Sequence, residues 1–144
     1  MAKYAQGFFT PKNPQKYVGN GKIRYRSSWE LTFMMFADSN EKVIKWASES
    51  IQIPYRNPLS GKQTIYVPDF FVVYQDKSGK VISELIEIKP KAQTMITEKT
   101  RSARDKAAIA VNHYKWQAAQ AWCKRMGVNF RVITEDQIFY SGRR

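Results

Sequence analysis

Two neighbouring stretches of the chain carry acidic and basic side chains at a spacing that suits metal-dependent chemistry. A Pro-Asp pair ending at Asp69 precedes the apolar run 70–74, and the triplet Glu87–Lys89 ends an apolar run that starts at Val81. If both runs are strands of one hairpin, two carboxylates and an ammonium group meet at its open end. Such a cluster can hold a divalent cation and activate water for the hydrolysis of a phosphodiester.

The turn between the two runs determines which residues face each other. Residues 77–79 read Lys-Ser-Gly, a three-residue loop with glycine at the left-handed position, which is a favoured connection between antiparallel strands. Stepping outward from this loop pairs Asp69 with Glu87, and facing residues have Cβ atoms about 4.5–5.5 Å apart. Lys89 lies two residues beyond Glu87, so it projects from the same face of the hairpin.

The ligand types at this end of the hairpin indicate which ion would bind. Facing carboxylates at Asp69 and Glu87 repel each other, and a divalent cation removes that penalty. Because the ligands are all oxygens, with the Ile88 backbone carbonyl as a third, we predict Mg²⁺, for which Mn²⁺ can substitute. Lys89 would orient the attacking water or stabilise charge on the phosphate. A Glu-x-Lys motif alone is commonly an exposed ion pair, and a Pro-Asp pair alone is commonly a turn. The catalytic interpretation therefore depends on the two motifs lying together.

The composition favours one globular domain with a polyanionic partner. The chain has 144 residues, of which 43% are hydrophobic, and 24 Lys and Arg against 12 Asp and Glu give a net charge of +12. This charge predicts nucleic-acid binding but does not distinguish an enzyme from a binding protein. No stretch reaches the roughly 20 apolar residues of a membrane helix, so no membrane partner is expected. The single cysteine, Cys123, excludes an intrachain disulfide and is predicted to be a buried, inert thiol.

The remaining patterns predict the elements that position the hairpin. Ser27 caps a helix that ends near Asp38, and a second helix runs from about Ser102 to Met126. The predicted strands are Glu49–Tyr55, Thr64–Tyr74, Val81–Lys89 and Asn129–Thr134. The predicted core stripe of the second helix is Ala107, Val111, Tyr114, Ala118, Ala121 and Trp122. The order helix, three-strand meander, helix, strand predicts an α/β fold with a mixed sheet flanked by helices.

The charge is distributed unevenly, which predicts three regions. Residues 1–26 contain six basic residues and no acid, and are predicted to form a basic N-terminal arm packed on the domain. The arm is either a solvated tail or a segment that lies along a phosphate backbone. Residues 27–140 form the core domain, and residues 141–144 form a basic C-terminal tail.

A second basic segment follows Lys89 directly, and its side chains could bind phosphates without recognising the base sequence. The predicted DNA-binding residues are Arg26, Lys91, Lys99, Arg101, Arg104 and Lys115. The alternative for these residues is an ordinary solvated surface. His113, the sole histidine, is expected on the helix surface rather than as a general base, because the metal chemistry does not require one.

Several stretches resemble known nucleases. Asp69 and the triplet Glu87–Lys89, in this order of elements, resemble the PD-(D/E)xK nuclease superfamily. Residues 26–30, 115–123 and 130–135 resemble the catalytic domain of TnsA-like transposon-end endonucleases. The opening residues, from Tyr4–Gly7 to Tyr17–Gly19, together with Ile53–Tyr55, are similar to the head completion nucleases of T-even-type tailed phages.

The resemblance implies a restriction-endonuclease-like core that cleaves double-stranded DNA. It implies that Asp69 and Glu87 are metal ligands, that Lys89 is the catalytic lysine, and that Glu30 reaches the metal as an additional acid. Glu30 is also the residue that a capping box would use to bond the Ser27 amide, and that alternative stays open. Glu49 could be a further acid, although a solvent-exposed charge at a strand end is the simpler interpretation.

The resemblance also implies a place in phage assembly. It predicts action late in virion assembly, in the host cytoplasm or on the virion, with phage head or portal proteins as partners. Nothing in the residues indicates the oligomeric state. One alternative is a non-catalytic DNA-binding or head-plug protein on a nuclease fold, and another is a basic RNA-binding protein.

Overall fold

The computed structural model describes residues 6–137, in which two α-helices and eight β-strands have both of their bounds. The helices are α1 (Ser28–Ser39) and α2 (Ala103–Met126). The strands are β1 (Gly7–Phe9), β2 (Ile23–Tyr25), β3 (Val43–Ser48), β4 (Ile53–Arg56), β5 (Gln63–Tyr66), β6 (Phe70–Gln75), β7 (Val81–Ile88) and β8 (Asn129–Ile133). Short 3₁₀ turns occupy Pro14–Lys16 and Lys91–Gln93.

A four-stranded mixed sheet, in the order β3-β6-β7-β8, forms the centre of the protein. The pairs β3–β6 and β6–β7 are antiparallel, while β7–β8 is parallel. A parallel neighbour requires a crossover connection, and α2 provides it. The predicted α/β fold with a mixed sheet flanked by helices is confirmed. The pairs β1–β2 and β4–β5 form two separate antiparallel ribbons.

The hairpin register agrees with the count outward from the turn. Gly79 has φ +88, the left-handed conformation that the loop requires. Phe71 pairs with Leu85, and the last pair before the open end is Phe70 with Ile86. One further step places Asp69 beside Glu87.

Two strand predictions are wrong. The first strand of the central sheet is β3, and of the predicted strand Glu49–Tyr55 only the last part is extended, in β4, which pairs with β5 instead. A bulge between Val43 and Lys45 disrupts the alternation of buried and exposed residues in β3. For this reason the sequence pattern did not predict β3. The predicted strand Thr64–Tyr74 is two strands, because Pro68 interrupts it and has no N–H with which to continue a ladder.

The bounds of both helices agree with the predicted bounds within a residue or two. The hydroxyl of Ser27 accepts the Glu30 N–H at the start of α1, and the hydroxyl of Ser102 accepts the Asp105 N–H at the start of α2. Gly127 ends α2 with φ 70.

The predicted core stripe of α2 is wrong at Tyr114 and Ala121, which are exposed, whereas Val111, Ala118 and Trp122 pack against the core. The buried residues of α2 are Ile109, Asn112, Trp116, Ala119 and Cys123. Apolar residues occur on several sides of α2, so more than one of its faces has apolar residues at helical spacing. The buried face also includes Asn112, whose side-chain amide donates to the Gln93 carbonyl at 3.2 Å. Because Asn112 is polar, a pattern of apolar residues cannot identify this face.

Successive strand residues alternate between two cores. Phe70 and Ile86 face α1, whereas Leu85 packs with Trp116 and Cys123 of α2. Cys123 is buried, as predicted, and burial raises the pKa of its thiol to about 11. No helix within residues 6–137 is long and apolar enough to span a membrane.

Residues 6–26 pack against α1 and β3. The rings of Tyr17 and Trp46 have centroids 4.7 Å apart, and the buried carboxylate of Asp38 accepts the backbone N–H groups of Lys12 and Asn13 at 2.9 Å each. The division into an arm, a core and a tail stays a prediction, and the predicted tail 141–144 lies outside the described residues.

Candidate active site

The hairpin β6–β7 brings the predicted acids and the lysine together at its open end. Asp69 directly precedes β6, and its Oδ2 accepts the backbone N–H of Ile88 at 2.8 Å. Glu87 is buried near the end of β7, and its Oε2 lies 3.8 Å from the Nζ of the half-buried Lys89. The arrangement follows from strand alternation, because odd-numbered residues of both strands share one face.

Burial and mutual repulsion govern the charges of this site. Burial raises the pKa of Asp69 well above its usual range, and the negative charge of Glu87 raises it further. Burial also raises the pKa of Glu87, while Lys89, Tyr66 and Lys115 act in the opposite direction. The site therefore concentrates negative charge that the protein groups only partly compensate, which is the environment that a cation would relieve.

Glu30 reaches this cluster from the first turn of α1. Its Oε1 accepts the backbone N–H of Arg26 at 3.0 Å, so the predicted alternative, a bond to the Ser27 amide, is wrong by one residue. Burial raises the pKa of Glu30, and the charge of Glu30 in turn raises the pKa of Asp69. Glu30 is thus close enough to act on the hairpin cluster while it also bonds the chain before α1.

Glu49 lies at the rim of the same cluster. It is the only non-glycine residue within 6–137 with positive φ, at 49°. Its N–H donates to the Asp69 carbonyl at 2.9 Å, and its exposed side chain forms an ion pair with Arg26. The charge of Glu49 also raises the pKa of Glu30, so this solvent-exposed acid is coupled to the site.

The donor set fits a hard divalent cation, although it is incomplete. Asp69 and Glu87 supply carboxylate oxygens. The N–H and C=O of a strand residue point to the same side, so the Ile88 carbonyl points toward the Asp69 side of β7, as its N–H does. Within residues 6–137, no three acidic, histidine or cysteine side chains already stand close enough to hold an ion by themselves. An ion held here would therefore keep several waters, as Mg²⁺ does.

The predicted DNA-binding residues occupy different surroundings. Arg26 lies at the rim in its ion pair with Glu49. Lys91 is exposed, and its Nζ lies 3.3 Å from Asp136. Lys115 lies over the ring of Tyr66, 5.8 Å from the ring centroid, and therefore faces the site. The remaining three, Lys99, Arg101 and Arg104, are exposed on the segment that leads into α2.

Two further residues complete the surroundings. His113 is exposed on α2, as predicted, and its Nε2 lies 2.6 Å from the Thr94 carbonyl, so it tethers the loop before the helix. Tyr66 was not predicted from the sequence. Its buried hydroxyl donates to Glu87 Oε1 at 2.8 Å, and burial followed by the Glu87 charge raises its pKa, so it stays protonated. Only recognition of β5 as a separate strand could have drawn attention to it.

The chain is similar to known nucleases. Residues 40–135 match the family described as TnsA-like endonuclease N terminal, and this span includes Asp69, Glu87 and Lys89. The head completion nuclease of Enterobacteria phage T4 is 38% identical over 140 residues, which cover 90% of this chain and 91% of the T4 protein. The chain therefore belongs to the TnsA-like endonuclease family, and its mixed α/β fold is restriction-endonuclease-like.

Proposed function

We propose that this endonuclease hydrolyses phosphodiester bonds of double-stranded DNA with a divalent metal ion. The observation that carries the proposal is the convergence of Asp69, Glu87 and Lys89 at the open end of β6–β7. The family match and the T4 relative support the class of reaction. Neither one identifies the metal, which we infer from the oxygen donors of the site. Double-stranded DNA as the substrate is inferred from the resemblance to these nucleases.

Asp69, Glu87 and the Ile88 carbonyl would hold the cation, and Glu30 would add a fourth oxygen ligand. When bound, Mg²⁺ supplies a Lewis acid that polarises the phosphate and lowers the pKa of water. We propose Mg²⁺ because all of the donors are oxygens, and Mn²⁺ should substitute because it prefers the same ligands. Ile88 holds Asp69 through one carboxylate oxygen, which leaves the other oxygen available.

Lys89 would act on the reacting phosphate. Its ammonium lies 3.8 Å from Glu87 Oε2 and is half-buried, so it can reach a phosphate that enters the site. A fixed positive charge in a partly water-excluded site stabilises the negative charge that develops on the phosphate oxygens. It can also orient the attacking water through one of its three N–H donors.

DNA would reach the site across a basic surface. The net charge of +12 favours binding to the phosphate backbone. Phosphate contacts of this kind position the duplex without reading its sequence. The proposed contact residues are Arg26, Lys91, Lys99, Arg101, Arg104 and Lys115.

We infer a biological setting from the T4 relative, which is named a head completion nuclease. The same role for this protein would place its action late in virion assembly, after DNA packaging, in the infected host cell. Phage head or portal proteins would then be its partners, and association with the virion would follow.

The test of the proposed activity compares Asp69→Ala and Lys89→Ala with the wild type on supercoiled plasmid DNA with Mg²⁺ or Mn²⁺. We expect each variant to cleave at least about 100-fold more slowly, since each removes a group that acts in the transition state. Matched controls are Glu41→Ala and Lys80→Ala, an exposed acid and an exposed lysine elsewhere on the molecule. Cleavage at the wild-type rate by either site variant would refute the assignment. Salt-sensitive binding without any cleavage by the wild type would favour a non-catalytic assembly protein.

A further inference from the structure

We propose that Tyr66 is a positioning residue that determines which oxygen of Glu87 faces the metal. The inference rests on the proposed function, because it assigns Tyr66 a role at the same site. It adds a residue outside the acid and lysine motif, on a different strand. Tyr66 is the last residue of β5 and lies three positions before Asp69.

The two carboxylate oxygens of Glu87 have different partners. Oε1 accepts the Tyr66 hydroxyl at 2.8 Å in the protein interior. Oε2 lies 3.8 Å from the Nζ of Lys89, a side chain that is more exposed than Tyr66. A hydrogen bond to an ionised carboxylate is among the stronger polar contacts in proteins. The Tyr66 hydroxyl therefore holds Oε1 and leaves Oε2 to face the lysine and a cation.

The Tyr66 ring is itself held on several sides. Its side chain is 4% exposed and belongs to the core cluster that includes Leu85 and Trp116. Its backbone pairs with Ile53 of β4, and Lys115 of α2 lies over its ring. A donor fixed by packing in this way keeps its direction, which a flexible surface donor would not.

Glu87 needs such a partner more than Asp69 does. A glutamate has one more rotatable bond than an aspartate, so its carboxylate has more orientations available. The Ile88 N–H orients Asp69, and the Tyr66 hydroxyl provides the equivalent contact for Glu87. Loss of a group that orients a ligating carboxylate typically costs 10- to 100-fold in metal affinity or activity.

The experiment measures Mn²⁺ binding by calorimetry and the Mg²⁺ dependence of plasmid cleavage for Tyr66→Phe. We expect Mn²⁺ affinity to fall, and the half-saturating Mg²⁺ concentration to rise, by about tenfold or more, with a smaller change in rate at saturating metal. The matched control is Tyr55→Phe, a buried tyrosine in the same core cluster on the paired strand. It should match the wild type in both measurements.

A second comparison tests whether Tyr66 acts through Glu87. In a Glu87→Gln background, Tyr66→Phe should cause no further loss of Mn²⁺ affinity, and an undiminished loss there would overturn the proposal. Should Tyr66→Phe fold poorly, 3-fluorotyrosine at position 66 of the otherwise unchanged protein provides another measurement. Its ¹⁹F resonance should shift on addition of Mg²⁺ more than that of 3-fluorotyrosine at position 55, and an unchanged resonance would count against the proposal.

The outcomes separate this inference from the function on which it rests. If the wild type binds Mn²⁺ and cleaves DNA, and Tyr66→Phe does both equally well at every metal concentration, only the role of Tyr66 is refuted. If the wild type neither binds Mn²⁺ nor cleaves DNA, the proposed function and the role of Tyr66 are refuted together.

Discussion

The carboxyl groups of Glu30, Asp69 and Glu87 all have raised pKa values, and burial is the largest cause for each. Asp69 is affected further by the charges of Glu87 and Glu30. Holding these groups together as carboxylates therefore opposes folding when no cation is bound. A cluster of buried acids therefore lowers the stability of the protein, as is common where function and stability compete.

This cost predicts that Asp69→Asn is more stable than the wild type at neutral pH in the absence of metal. A folded-state pKa raised above the unfolded value gives a stabilising contribution that is present below the unfolded pKa and is lost as pH rises through the folded pKa. Each unit of that shift corresponds to about 1.4 kcal/mol. We therefore expect a gain of at least about 1 kcal/mol at pH 7 that disappears toward pH 4, measured by urea unfolding in EDTA.

Asp76→Asn is the control, for which the expected change in stability has the opposite sign. Hydrogen bonds from Ser78 and Lys80 lower the pKa of Asp76, so its contribution is present above the unfolded pKa and is lost as pH falls through the folded pKa. This variant should be less stable than the wild type at pH 7. A metal-free Asp69→Asn protein that is less stable than the wild type at pH 7 would contradict the prediction.

Some site residues could be predicted and others could not, for a physical reason. Asp69 and Glu87 could be paired because the turn at Gly79 and the two-residue period of strands fix the register. Tyr66 could not be predicted, since its contact depends on the interruption of the ladder at Pro68, where the pattern indicated one continuous strand. The Arg26–Glu49 pair likewise depends on a positive φ at Glu49, which a glutamate seldom adopts.

Among the elements, the first turn of α1 has a structural role in the helix cap and, as we propose, a chemical role at the site. The Ser27 hydroxyl accepts the Glu30 N–H at 3.1 Å, while the Glu30 side chain bonds the Arg26 N–H and lies near Asp69. The helix cap therefore uses the backbone of Glu30, and its carboxylate stays available for the role that we propose at the site.

Paired substitutions should separate these two functions. Ser27→Ala removes the cap and should lower the free energy of unfolding by about 1 kcal/mol, with little effect on cleavage at saturating Mg²⁺. Glu30→Gln keeps an acceptor for the Arg26 N–H but removes the charge, so cleavage should fall about tenfold or more while stability is retained. Urea unfolding and plasmid cleavage of both variants provide the measurements. Normal cleavage by Glu30→Gln would show that Glu30 has only the structural function.

The end of α1 holds the N-terminal segment through Asp38. This carboxylate is 3% exposed and accepts the N–H groups of Lys12 and Asn13, while Lys16 donates to the carbonyls of Asp38 and Asn40 at the helix end. Asp38→Ala leaves both N–H groups without that acceptor. We expect a loss of about 2–4 kcal/mol in the free energy of unfolding and faster hydrogen exchange at residues 12 and 13.

The comparison for Asp38→Ala is Glu41→Ala, which removes an exposed acid just beyond α1. It should change the free energy of unfolding by no more than about 0.5 kcal/mol. Equal stability of the two variants would mean that the Asp38 contacts do not hold the segment.

The elements themselves were predictable where local chemistry marks them. The capping box at Ser27 correctly marks the start of α1, and Gly127 correctly marks the end of α2. The register of β7 with β8 and the buried face of α2 depend on packing between distant segments, which local patterns do not contain. The buried Asn112 is an example, because its partner Gln93 lies 19 residues away in sequence.

At the scale of the whole molecule, a strongly basic protein surrounds a compact acidic cluster. The net charge of +12 favours the approach of DNA, whereas the acids at the open end of β6–β7 would repel phosphate unless a cation and nearby basic residues compensate them. Productive binding therefore requires that the contacts concentrate near the site. We propose that the segment 99–104, which lies between β7 and the body of α2 in the chain, supplies these contacts through its three exposed basic residues.

This localisation predicts unequal effects of equal charge changes. Arg101→Gln with Arg104→Gln should weaken binding to all duplex sequences and reduce the slope of log K against log salt by up to about 2, since each lost phosphate contact contributes about 0.9. Lys77→Gln with Lys80→Gln also removes two positive charges, but at the turn of β6–β7, about 20 Å from the site along the strands. Fluorescence anisotropy from low to moderate salt gives both slopes. Equal reductions would mean that overall charge governs binding, and only a larger reduction in the arginine variant supports a DNA path beside the acids.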